Sequence, residues 1–84
     1  MKTSRKDLMT GACVIACRYP ELSLEDAVGD AQQLAERLRF YNIEDQQEEE
    51  SVFTAACWFI GADRELAPQE AIEKALRLWD AVGT

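Results

Sequence analysis

The sequence predicts an all-α protein, a four-helix bundle built from two similar helical hairpins. Two observations lead there. Shifted by 44 positions without a gap, residues 8–40 fall on residues 52–84. The pairs Thr10/Thr54, Ala12/Ala56, Cys13/Cys57, Leu22/Leu66, Ala27/Ala71, Ala31/Ala75 and Leu34/Leu78 are then identical, and Met9/Phe53, Val28/Ile72 and Leu38/Val82 keep their chemical character. Self-similarity at a fixed period is the mark of a repeated supersecondary unit. In addition, apolar residues recur at helical spacing, and none alternate with period two over a useful length.

The first helix is predicted over 5–18. Ser4 can cap it, Asp7 favours its positive end, and Pro20 biases Tyr19 away from helix. The second spans 23–41: Ser23 caps, Leu22 and Ala27 are placed as a hydrophobic staple, and Leu24, Ala27, Val28, Ala31, Leu34, Ala35 and Leu38 mark one face. Asn42 is a natural stop. Gly29 costs this helix about 1 kcal/mol relative to alanine. The third helix covers 46–60, opening near Asp45 with acids in its first turns and closing at Gly61. The fourth spans 68–82, with Pro68 at its first position and Ala71, Ile72, Ala75, Leu78, Trp79 and Val82 as its apolar stripe. Neither hairpin can bury its stripe alone, so the two are expected to pack with approximate two-fold symmetry.

The 84 residues form one domain, 1–84, carrying a repeat at 8–40 and 52–84. The net charge of −7 is unevenly laid out. Residues 1–20 hold Lys2, Arg5, Lys6 and Arg18 against Asp7 and are basic, at +3, which leaves −10 on the remainder. An acidic body repels phosphates and attracts basic proteins, so direct nucleic-acid binding is not expected. No apolar run approaches the length of a membrane span. Lys2, Arg5 and Lys6 ahead of Leu8–Ala16, with Val14-Ile15-Ala16-Cys17, look like a short lipoprotein leader. Asp7, the diluting Thr10 and Gly11, and the stretch's place inside the repeat argue against it. A cytoplasmic location is expected.

The sequence holds no histidine, the commonest general base, and no glycine-rich phosphate loop, so no enzyme is expected and no catalytic residue is assigned. No cofactor or metal is expected either. Residues 61–70 lack the successive Asp and Asn ligands of a calcium loop. Ser23, in Leu22-Ser23-Leu24, lacks the preceding aspartate of the acyl carrier protein attachment motif. Cys13, Cys17 and Cys57 supply neither four zinc ligands nor a Cys-x-x-Cys pair, and they are expected to be small, buried or half-buried apolar residues.

Two surface features point to protein binding. On a helical wheel, Val52, Phe53, Ala55, Ala56, Phe59 and Ile60 share one broad face, and Trp58 falls well off it. A tryptophan placed there is either a partner-binding anchor or part of a helix buried all round. Glu44, Asp45, Glu48, Glu49 and Glu50 would steer a basic partner, or simply solvate a helix start. Together these six residues are the candidate partner-binding site. The expected function is that of a small acidic, non-catalytic adaptor or inhibitor occluding a basic surface of another protein, by analogy with those encoded by bacteria, phages or mobile elements. The alternatives are a structural homo-oligomer, with a homodimer as its simplest form, and a thiol-based sensor or metal-binding protein.

Overall fold

The structure, a computed structural model, describes residues 4–83. Lys2 of the basic segment and Thr84 at the end of the repeat lie outside the described residues. Four helices follow one another: α1 (Arg5–Arg18), α2 (Leu24–Leu38), α3 (Gln46–Ala62) and α4 (Pro68–Gly83). No strand occurs among the described residues.

The helix starts follow from local chemistry. Ser4 Oγ accepts from the Asp7 N–H and Ser23 Oγ from the Asp26 N–H, each at 3.1 Å. Asp45 Oδ1 accepts from the Gln47 N–H at 3.0 Å. Each cap satisfies an otherwise orphaned helix-start donor and contributes about 1 kcal/mol. The second helix is shorter than expected. It stays α-helical to Leu38, tightens into a 3₁₀ turn over Arg39–Tyr41, and stops at Asn42 in a left-handed conformation with φ 50°.

Gly61 is not the terminator its type suggests. The helix continues through it to Ala62, and Asp63 is the cap. A side chain at Gly61 would lie 2.7 Å from Arg18 Cβ and 3.3 Å from Ile15 Cα. At Gly11 it would lie 2.7 Å from Phe53 Cζ and 3.0 Å from Cys57 Sγ. Both glycines therefore exist to let α1 and α3 approach closely. Gly11 meets Phe53 and Cys57, and one to two turns later Ile15 and Arg18 meet Gly61, so the two helices run in the same direction.

The helices α1 and α3 form one layer and α2 and α4 the other, in a body of 36 × 23 × 17 Å whose short dimension is about two helices thick. The helix α2 also leans onto α3, whereas the α1 and α4 backbones come no closer than 8 Å between Cα atoms among the described residues. The largest fully buried side chains are Ile15, Leu34, Leu38, Ile72, Val52 and Cys57, set among alanines.

The hairpins are not related as the expected two-fold would have it. A two-fold gives repeat partners equal burial. Here Met9 is 75% exposed and its partner Phe53 only 2%, while Leu38 is 0% and its partner Val82 77%. Gly11 of the first hairpin faces Phe53 and Cys57 of the second, Leu34 lies beside Ile60, Leu66 and Pro68, and Leu38 and Ile72 are fully buried, so the two hairpins present different surfaces to the seam. The packing is head to tail. It leaves Leu24 and Val28 in the first hairpin, and Leu78 and Val82 in the second, exposed rather than in the core where their stripes placed them.

Candidate functional site

The buried face of α3 comprises Val52, Phe53, Ala56, Cys57 and Ile60, with Ala55 and Phe59 half-buried at its edge. Trp58 lies off that face and is 46% exposed, so α3 is not buried all round. The Arg18 guanidinium sits 5.2 Å from the Trp58 ring centroid, a cation–π contact that joins α1 to α3 and holds the indole against the surface.

The acidic run does not form one uniform patch. Glu44, Asp45 and Glu50 are exposed, and Glu48 and Glu49 are half-buried. Asp45 is engaged as the cap, and Glu50 Oε1 accepts from Gln46 Nε2 at 3.4 Å. From Glu50 to Trp58 is about 12 Å along the helix at 1.5 Å per residue. Between them Ser51, Thr54 and Ala55 floor a shallow open depression. Thr54 Oγ1 donates to the Glu50 carbonyl at 3.0 Å, which commits its proton and leaves the oxygen to act only as an acceptor. The result is a ledge with negative charge at one end and an aromatic anchor at the other.

The cysteines differ from expectation. All three are free; Cys57 is buried, but Cys13 and Cys17 are exposed, one turn apart on α1. A hydrogen bond and charge interaction with Cys13 raise the Cys17 thiol. Burial, with the nearby Asp30 charge, pushes the Cys57 thiol up to about 12. Raised thiols are poor thiolates at neutral pH, the reverse of what thiol-based sensing uses. No cluster among the described residues brings three His, Cys, Asp or Glu side chains together to hold a metal ion.

A second feature was missed by the sequence reading. Arg5, Leu8, Met9, Cys13, Cys17 and Leu24 line an open, mostly apolar groove of about 690 Å³ between α1 and α2. The same stripe positions in α3 and α4 are covered, so no periodicity could have set the groove apart. Leu78, Trp79 and Val82 line a smaller apolar recess with Val52 and Ala55 on the opposite flank.

The chain shows no significant match to any family model, curated protein or solved structure. None of the helices is long and apolar enough to cross a membrane, among the described residues.

Proposed function

We propose that the protein is a small, non-catalytic protein-binding module, an adaptor or inhibitor, that receives a basic protein surface on the ledge from Glu44–Glu50 to Trp58. The observation that carries this reading is the half-exposed Trp58 held by Arg18 at the end of an acidic helix face. Carboxylates would steer the encounter, and the indole would supply the desolvated anchor that dominates such interfaces. The mechanism is steric occlusion of the partner's basic site. A cytoplasmic location suits the three unpaired cysteines.

Affinity capture from lysate, with bound proteins identified by mass spectrometry at low and high salt, tests the reading. A basic protein retained by the wild type, released by salt and lost with Trp58→Glu is the expected result. An identical bound set with Trp58→Glu, indifferent to salt, would overturn it.

A further inference from the structure

The two hairpins bury complementary surfaces. The first offers its Gly11–Leu34–Leu38 side to the seam, and the second offers its Phe53–Cys57–Ile72 side. Because the hairpins repeat one sequence, each also carries the surface the other has used. The first hairpin keeps its Met9–Cys13–Val28 surface open, the counterpart of Phe53–Cys57–Ile72. The second keeps its Ala55–Leu78–Val82 surface open or half-open, the counterpart of Gly11–Leu34–Leu38. The molecule thus ends in one copy of each half of its own internal seam.

We propose that a second copy of this chain fills both vacancies, the Leu78–Val82 side of one molecule docking into the Met9–Val28 groove of the next, in an arrangement like the one that joins the two hairpins but wider between α3 and the next α1, where Ala55 and Cys17 stand in place of Gly11 and Gly61. The proposal goes beyond the protein-docking reading of the α3 ledge: it concerns the apolar flank that adjoins Glu50 and Trp58, and its occupant is a second copy of this chain rather than a basic protein.

The internal seam supplies the template for each contact. Leu34 lies beside Ile60, Leu66 and Pro68; its counterpart Leu78 would lie beside Ala16, Leu22 and Leu24 of the next copy. Leu24 is 72% exposed and Leu78 47%, apolar surface left open within one chain. Gly11 meets Phe53 and Cys57, and its counterpart Ala55 would meet Met9 and Cys13. The lean of α2 onto α3, with no matching close approach of the α1 and α4 backbones, is also what a head-to-tail stack requires: α4 would lean onto the next copy's α1.

Charge agrees with the same pairing. Within the chain, Lys6 and Thr10 of α1 share a cleft with Gln46 and Glu50 of α3. Lys6 and Glu50 lie just ahead of the two repeats and are also separated by 44 positions, so extending the same shift to them places Glu50 on the side of the next copy's Lys6. The basic segment at the start of α1 and the acids at the start of α3 then face one another between copies. This offsets part of the repulsion between two chains of net charge −7.

Such contacts are heterologous and extend to rings or open stacks. Sedimentation velocity over a concentration series, on the wild type, Leu24→Glu and Leu78→Glu, tests the arrangement. Both altered residues are exposed, and glutamate suits the helix start at Leu24 and the helix interior at Leu78, so circular dichroism should show both variants folded. The wild-type mass is expected to rise with concentration past that of a dimer, and each variant alone to stay monomeric. An equimolar mixture of the variants is expected to recover association and to stop at the dimer, because each supplies the surface the other lacks. A mixture that stays monomeric while the wild type assembles would mean a symmetric interface and overturn the head-to-tail seam. A wild type that is monomeric at every concentration overturns self-docking altogether. The Trp58→Glu capture experiment reads the acidic ledge separately, so the two failures are distinguishable.

Discussion

The hairpins α1–α2 and α3–α4 share a sequence pattern and a shape, yet they bury opposite halves of it. In the first hairpin the far end of the second helix is core, at Leu34 and Leu38, and the groove side is open at Met9 and Val28. In the second hairpin Phe53 and Ile72 are core, and Leu78 and Val82 are open. The lesson is that an amphipathic stripe states what a helix can bury, while the neighbour decides which part of it is buried. Repetition supplies twice the surface that one seam consumes. The surplus is where a binding module of this construction has something to offer.

The largest expected effect separates two repeat partners by truncation alone. Leu38→Ala removes a fully buried side chain and is expected to cost about 2–5 kcal/mol of stability in urea unfolding. Val82→Ala, at the equivalent position, is expected to stay within about 0.5 kcal/mol, as exposed substitutions do. Equal losses would mean that the hairpins are equivalent in solution and would break the comparison.

Next in size is the close approach of α1 to α3. Gly61→Ala places a methyl against the Ile15 backbone and the Arg18 stem, and overpacking of this kind costs about 1–3 kcal/mol. Its repeat partner Cys17 already carries a side chain on an open face, so Cys17→Ala should be close to neutral by the same measurement.

These contrasts mark what could be read from the chain. Helix starts were legible because Ser4, Ser23 and Asp45 act on donors two or three residues away, well inside the reach of local sequence. The displacement of Trp58 from the buried face was legible because it depends only on helical geometry. The role of Gly61 was not, since a glycine after an apolar run reads as a stop unless one knows that Arg18 and Ile15 lie against it. The exposure of Cys13 and Cys17 was hidden for the same reason. Their stripe matches that of Cys57, and only the head-to-tail packing distinguishes the two surfaces. Of the candidate ledge, the residue types were legible, but the half-burial of Glu48 and Glu49 is set by the tertiary packing around the start of α3.

The cysteine pair sharpens the comparison chemically. Cys57 is held up to about 12 in the fold against an ordinary value of 9.0. Below pH 9 both folded and unfolded chains keep that thiol protonated, and its contribution to stability is intact. As pH rises from 9 toward 12 the unfolded chain loses the proton first, so stability falls by up to about 1.4 kcal/mol per pH unit. Urea unfolding at stepped alkaline pH should show this decline, and Cys57→Ala should flatten it. In the native protein near neutral pH, a maleimide should label the exposed Cys13 first and Cys17 more slowly, and leave the buried Cys57 protected. Prompt labelling of all three would mean that the second hairpin is not covered as described.

The smallest expected effect tests the open groove from inside. Gly29 lies in the middle of α2, next to Val28, where its repeat partner is Glu73. An added Cβ at Gly29 would have nothing within 4 Å in the single chain. Gly29→Ala should therefore act through backbone entropy and helix propensity alone, raising stability by about 1 kcal/mol. Measured at low protein concentration, that gain isolates the monomer. Repeated at high concentration, the same substitution reports on whatever lies over α2. A gain that holds at both concentrations places the docked surface clear of Gly29, on the Leu24–Val28 side. A gain that shrinks as concentration rises shows the added methyl meeting a neighbouring copy, and would move the intermolecular seam further around α2 than the internal template sets it.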